Sequence, residues 1–167
     1  MKFSLSFEVA GAPEEFFGWF FAPVREDDLY KGELTYRSYE MVAQRESEER
    51  VVRRTRFQRG VQLPEPVAKL FGGDFSEIED GTFEKADRLW TWRVTPSSLA
   101  DKIRHEGSLR AEDAGGTRSR LGLELTYEAK VFGVGGLLES FMEKRLREEW
   151  DQTVGFYGRQ APASAQA

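Results

Sequence analysis

The sequence predicts an α+β fold in which a one-sided antiparallel sheet packs against a long C-terminal helix. Apolar and polar residues alternate over residues 117–131, which is the period of a strand with one face in water. After a glycine-rich corner at 132–136, apolar side chains recur at three- and four-residue steps over residues 137–157, as on one side of a helix. Either side chains alone or a ligand must fill the space between two such layers.

The N-terminal part predicts one strand followed by a short helix. Phe3, Leu5, Phe7 and Val9 share one face of a strand over residues 2–9. Pro13 suits the first turn of a helix, and the phenylalanine-rich run behind it must be pressed into the body of the domain before Pro23 ends it. Residues 24–31 are expected to form another turn or short helix.

The middle of the chain predicts the remaining strands and a second short helix. Residues 34–45 and 50–60 read as strands around a charged turn, although their alternation does not assign their faces. Proline at the start and glycine at the end predict a short helix over residues 63–73. The further expected strands are 75–86, 89–95 and 103–112, and the composition of 113–116 is typical of a hairpin turn.

Length and composition indicate one domain, expected over residues 1–158, with a disordered tail at 159–167. The chain has no Cys, which removes disulfides and thiolate metal sites. No apolar stretch approaches the roughly 20 residues of a membrane-spanning helix, and no signal peptide is recognisable. The cytoplasm is therefore the expected location, and no membrane span is predicted.

The charge pattern indicates which classes of partner the protein could bind. A net charge of −5 argues against nucleic acid, which requires a concentrated basic surface. Basic residues nevertheless cluster between positions 50 and 59, namely Arg50, Arg53, Arg54, Arg56 and Arg59. The cluster is either a solvated strand or a binding patch. As a patch, it would bind an anionic headgroup, or a protein partner through the region from Arg53 to Arg59.

Recognisable catalytic chemistry is sparse. His105 is the single histidine, so it cannot build a multi-histidine metal site, but it could act as a general base or orient a ligand. No nucleophile elbow or phosphate loop occurs. The glycine run at 133–136 does not match the dinucleotide fingerprint, because Leu138 stands where the third glycine belongs and no strand follows. We therefore predict no cofactor and no metal, and leave enzymatic activity open.

The order of these elements resembles the START-like, or Bet v 1-like, helix-grip superfamily (also called SRPBCC). Within it, the short helix at 63–71 (LPEPVAKLF) and the corner at 132–139 (FGVGGLLE) resemble the DUF2505-type bacterial proteins of unknown function. The resemblance covers roughly residues 1–158. It implies a curved sheet gripping the long helix around an apolar cavity, in a superfamily whose members bind lipids, sterols and polyketides, include cyclases, or act on protein partners.

We therefore expect a hydrophobic or amphipathic, lipid-like small molecule to bind between sheet and helix. The expected ligand-binding residues are Phe17, Phe20, Trp90, Trp92, His105, Leu121, Leu123, Leu125, Leu138, Phe141, Met142 and Arg145. Arg145 lies near the apolar stripe, so it either pairs with an acid of the sheet or meets a ligand carboxylate or phosphate. Plain core packing is the alternative for every one of these residues.

Three classes of function follow. A carrier predicts an internal cavity of several hundred Å³. An enzyme of cyclase or hydrolase type predicts that His105 or Tyr127 points into that cavity beside a second polar group. A protein-interaction module predicts a filled core and an exposed apolar or arginine-rich patch instead.

Overall fold

The computed structural model describes residues 1–23, 26–72 and 75–160. Within these residues the chain forms seven strands, three α-helices and one π-helical segment. In chain order they are β1 (Lys2–Ala10), α1 (Pro13–Phe20), the π-helical segment (Asp27–Glu33), β2 (Ser38–Glu46), β3 (Arg50–Gln58), α2 (Glu65–Phe71), β4 (Glu77–Glu84), β5 (Leu89–Pro96), β6 (Ile103–Asp113), β7 (Arg118–Ala129) and α3 (Gly135–Gln160).

The strands form one antiparallel sheet in the order β1-β7-β6-β5-β4-β3-β2. The first strand pairs with the last strand, and α3 returns across the inner face of the sheet onto β7 and β1. A curved antiparallel sheet around a long C-terminal helix, with short helices after β1 and in mid-chain, confirms the expected helix-grip fold.

Most observed boundaries differ from the sequence prediction by one or two residues, and two differences matter most. The strand expected over 34–45 begins at Ser38, because Leu34 closes the π-helical segment by donating its N–H to the Leu29 carbonyl at 2.8 Å. At the C-terminus α3 includes Arg159 and Gln160, so the first two residues of the expected tail are helical. The rest of that tail, 161–167, lies outside the described residues.

The alternation predicted for the last strand is present. Its inward residues are Leu121, Leu123, Leu125, Tyr127 and Ala129, and all of them are buried. The side of α3 that faces them buries Leu138, Met142, Leu146, Glu149, Thr153 and Tyr157. Burying large apolar side chains stabilises the fold by roughly 1.5–3 kcal/mol each. The presence of a glutamate within this stripe points to a polar centre in the core.

Two glycines shape the inner face of the sheet. A Cβ at Gly81 would overlap the ring of Trp90, and a Cβ at Gly107 would overlap the ring of Trp92. Both indoles therefore lie flat across the neighbouring strand, stacked 6.3 Å apart at their centroids. Because the rings do not stand upright into the interior, space remains above them for polar side chains.

No helix within the described part of the chain is long and apolar enough to cross a membrane.

Candidate functional site

A cavity of about 60 Å³ lies between the inner face of the sheet and α3. Its walls come from α1, the π-helical segment, six strands and the second half of α3. The lining residues are Phe20, Tyr30, Leu34, Tyr36, Tyr39, Arg53, Thr55, Phe57, Arg59, Glu79, Trp90, Trp92, Val94, His105, Leu125, Leu146, Glu149, Trp150 and Thr153. The volume is below the several hundred Å³ expected for a carrier. It has room for about four water molecules, whereas a cavity of about 150 Å³ is known to admit benzene.

Five of the twelve ligand-binding candidates line this cavity, and they are Phe20, Trp90, Trp92, His105 and Leu125. Leu121 and Leu123 are buried in the same apolar cluster without reaching the cavity wall. Phe17 packs against Phe83, with ring centroids 4.1 Å apart, and borders a separate groove beside α1.

The remaining candidates lie at the start of α3. Leu138 and Met142 are buried in a second cluster, and the half-buried Phe141 packs against it. Arg145 does not bind an acid of the sheet. Its Nε donates to Glu149 Oε1 of its own helix at 3.2 Å, and its Nη2 donates to the Leu34 carbonyl at 3.2 Å. Arg145 therefore contacts two residues of the cavity wall without lining the cavity itself.

Arg53 brings a positive charge into the aromatic end of the cavity. Its guanidinium carbon lies 4.9–5.2 Å from the ring centroids of Phe20, Phe21 and Trp90, which is cation–π distance. Nη2 donates to Glu79 Oε1 at 3.1 Å, whereas Nε is buried and has no hydrogen-bond partner among the described residues. One strong donor of this wall residue thus remains unpaired.

Arg59 joins the sheet to α3 through buried charges. Its Nη1 donates to Glu77 Oε1 at 2.9 Å, and its Nε donates to Glu149 Oε1 at 3.2 Å. Tyr36 donates its hydroxyl to Glu149 Oε2 at 3.0 Å, which occupies the second carboxylate oxygen. Burial raises the pKa of Glu77, while the charge of Arg59 opposes that rise. The network fixes the separation between helix and sheet.

His105 is neutral at physiological pH. Burial lowers the pKa of its imidazole to about 3, and the nearby positive charge of Arg59 acts in the same direction. Nδ1 lies 3.9 Å from Glu77 Oε2, which is too long for a hydrogen bond, and within the part of the chain that the structure describes it has no partner. The ring of Tyr127 packs edge-on at 5.2 Å between centroids. His105, a residue of the cavity wall, therefore carries an unpaired polar atom.

Three tyrosines from the π-helical segment and the β2 side complete the polar wall. Tyr30 and Tyr39 stack with centroids 3.9 Å apart, and Tyr36 stacks on Phe57 at 5.3 Å. Burial raises the pKa of each of these hydroxyls, so all three stay protonated and uncharged. They offer neutral hydrogen-bonding groups on flat aromatic surfaces.

A groove of about 450 Å³ adjoins the cavity on the α2 side. Arg59 lines both spaces, and its partner Glu77 lines the groove. The apolar lining of the groove consists of Val61, Leu63, Ala68, Phe75 and Met142. The ion pair between Arg59 and Glu77 therefore lies where the groove and the cavity adjoin.

The arginine cluster divides between the two faces of the sheet. Arg53 and Arg59 point inward and are buried, whereas Arg54 and Arg56 lie on the outer face and pair with Asp80 and Glu40. The exposed patch expected from Arg53 to Arg59 is thus limited to partly neutralised outer residues. No group of three or more His, Asp or Glu side chains in the described ranges is arranged to hold a metal ion.

The β3–β4 half of the site was missed by the sequence reasoning. Arg53 and Thr55 alternate inward on β3, and Glu79 faces inward from β4. The sequence did contain a signal for this half of the site. One face of the strand over 77–83 carries Glu77, Glu79, Gly81 and Phe83, so two acids share a face with two residues suited to a core. Charges of opposite sign on the inward positions of neighbouring strands indicate a buried ion pair.

Comparison with known proteins shows the family and the fold. The model of a family described as "Protein of unknown function (DUF2505)" matches residues 24–157. The Zhui aromatase/cyclase from Streptomyces sp. R1128 is similar in structure (TM-score 0.67, 14% identity, covering 98% of this chain and 97% of that chain). A protein from Thermus thermophilus is also similar in structure (TM-score 0.62, 21% identity, covering 91% of this chain and 90% of that chain). A START superfamily protein from Mycobacterium smegmatis is similar as well (TM-score 0.56, 14% identity, covering 92% of this chain and 97% of that chain). No curated protein sequence matches the chain.

Proposed function

Because this chain belongs to the DUF2505 family, whose function is unknown, we propose from its site that it binds an amphipathic small molecule between the sheet and α3. The observation that carries the proposal is the cavity beneath the helix, whose walls are largely aromatic. They include Arg53 and His105, each with a buried polar atom that has no hydrogen-bond partner among the described residues. Ligand pockets combine apolar surface with a few placed polar groups in this way.

The volumes of the cavity and the groove favour a ligand with two parts. The cavity of about 60 Å³ takes a small polar group, and the adjoining groove of about 450 Å³, whose lining is half polar and half apolar, takes a larger amphipathic body. Together these spaces fall within the roughly 300–1,000 Å³ of ligand pockets. Passage between them requires Arg59 to swing away from Glu77. A wholly hydrophobic lipid is disfavoured, because its chain would offer no partner to Arg53 Nε or His105 Nδ1.

Filling the cavity tests the proposal. Val94 is 3% exposed and lines the cavity, so Val94→Phe should occupy the space; Val52, which is 45% exposed, gives the matched control Val52→Phe on the outer face of the sheet. We expect Val94→Phe to abolish retention of small molecules in native mass spectrometry and to weaken binding of an anilinonaphthalene dye more than tenfold, while both variants stay folded. Equal dye affinity in the two variants would contradict the proposal.

A second candidate is catalysis of ring closure or hydrolysis in the same cavity. The specific observation in its favour is His105, which lines the cavity with Nδ1 3.9 Å from the Glu77 carboxylate. One of the solved structures with this fold is an aromatase/cyclase. With its low pKa, His105 would act as a neutral hydrogen-bonding group, and Glu77 as the group that exchanges a proton. Loss of turnover in a folded Glu77→Gln variant would support this candidate.

The cytoplasmic location, the absence of nucleic acid among its partners and a protein partner at the outer arginines remain predictions.

A further inference from the structure

The charges around the cavity are balanced. Three buried or mostly buried arginines, Arg53, Arg59 and Arg145, face three glutamates, Glu77, Glu79 and Glu149. Each arginine lies within 3.2 Å of at least one of these carboxylates. A fourth acid, Glu26, lies with Arg53 around a smaller pocket behind Phe20 and Phe21. An added anion would therefore meet at least as many negative as positive charges in a poorly solvated site.

The unpaired polar atoms of the wall residues also restrict the chemistry of the ligand. Arg53 is 3% exposed, and its Nε–H can only donate, so it requires an acceptor atom. His105 is 2% exposed, and the Nδ1 of its neutral ring can donate or accept according to its tautomer. Both residues line the same cavity, and the inward strand positions between them carry Gly81, Glu79, Trp92 and Val94.

We infer that the ligand is uncharged and carries carbonyl or hydroxyl oxygens, which accept from Arg53 Nε and pair with His105 Nδ1. This inference rests on the proposed function and names its ligand class: a neutral, oxygen-bearing molecule, as opposed to a fatty acid, a phospholipid or another acid. The cavity of about 60 Å³ admits only the oxygen-bearing end of such a molecule, and the protonated tyrosines add neutral partners there.

A matched set of probes tests the ligand class. The full chain is titrated with 2,6-dihydroxynaphthalene, with 2,6-naphthalenedicarboxylate and with naphthalene, which share one ring system and differ in charge and oxygen content. We expect the diol to bind at least tenfold more tightly than the dicarboxylate and about fivefold more tightly than naphthalene, the factor that one neutral hydrogen bond contributes on balance. Tighter binding of the dicarboxylate, or equal binding of the diol and naphthalene, overturns the inference.

Two variants locate the contacts. Arg53→Lys keeps the charge beside Glu79 and removes Nε–H, and its control is Arg54→Lys on the outer face of the same strand. His105→Phe removes Nδ1 with little change in volume. Each of Arg53→Lys and His105→Phe should weaken binding of the diol threefold to tenfold and leave that of naphthalene within twofold. Unchanged diol affinity in both variants overturns the inference, and if Arg53→Lys does not fold, His105→Phe decides alone.

The outcomes separate the two proposals. If none of the three probes binds, and Val94→Phe behaves as the parent chain, the proposed function itself fails. If naphthalene binds and Val94→Phe blocks it, the binding function stands, and the neutral, oxygen-bearing ligand is then decided by the comparison among the probes and by the diol affinities of Arg53→Lys and His105→Phe.

Discussion

Arg59 Nε lies 3.2 Å from Glu149 Oε1, although 90 residues separate them in the chain. Arg59 follows β3, and Glu149 projects from the middle of α3 toward the sheet, so this pair crosses the interface that defines the fold. Buried ion pairs contribute little net stability against an apolar alternative, but losing one partner leaves the other charge desolvated. The pair therefore sets the position of the helix and forms one wall of the cavity.

Removing Glu149 should destabilise the domain strongly. Glu149→Leu deprives Arg59 and Arg145 of a shared carboxylate and Tyr36 of its acceptor, so we expect the free energy of unfolding to fall by about 3 kcal/mol or more. Asp80→Ala, which removes the partner of the exposed Arg54, should cost less than about 1 kcal/mol. Urea unfolding of both variants measures the difference, and similar losses would refute a buried network.

His105 should make the native state sensitive to acid. The unfolded chain binds a proton at this imidazole below pH 6.5, whereas the folded chain does so only near pH 3, so stability is lost as the pH falls between these values. At pH 5 the loss reaches about 2 kcal/mol from this residue. The raised pKa of Glu77 acts in the opposite sense, because its contribution is lost as the pH rises above 4.5.

His105→Phe isolates the histidine effect. Between pH 7 and pH 5 the free energy of unfolding of this variant should fall by about 2 kcal/mol less than that of the parent chain. Urea titrations at several pH values give both curves. Parallel curves would mean that the imidazole is protonated as readily inside the protein as in the unfolded chain.

A methyl group at Gly81 should displace Trp90. Gly81→Ala places a Cβ where the Trp90 ring lies, so the indole must rotate or the strands must separate, at a cost of about 1–3 kcal/mol. Gly122→Ala is the matched control, since Gly122 is an exposed strand glycine with open space at its Cβ position. Thermal unfolding and tryptophan emission should change in Gly81→Ala only. A native spectrum and full stability for Gly81→Ala would show that the indole is not held flat.

A charge on the inner face of β7 should unfold the domain. Leu125 is buried at the cavity wall, and in Leu125→Arg an unpaired guanidinium would enter an interior whose acids are already paired. Glu124→Arg, one residue away on the exposed face, should stay folded. Circular dichroism and size-exclusion chromatography distinguish the two. A compact, fully folded Leu125→Arg variant would mean that the assigned faces of β7 are reversed.

The fold could be predicted because its signals are local. The alternation through Leu121, Leu123 and Leu125 and the three- and four-residue steps of Leu138 and Met142 each place one face toward the core. Arg145 shows where this reasoning stops. Its position beside the apolar stripe was evident, but three-dimensional packing paired it with Glu149 on its own helix and with the Leu34 carbonyl.

The sequence by itself determined which residues alternate, roughly where the helices lie, and that a long helix must cover a one-sided sheet. Only the tertiary structure decided that Arg53 and Arg59 point inward, that Glu77 and Glu149 meet at one guanidinium, and that the space beneath α3 is small, with charged groups among aromatic walls. The physical reason is that periodicity depends on neighbours along the chain. The pairing of buried charges and the volume left between layers depend on side chains brought together from distant segments.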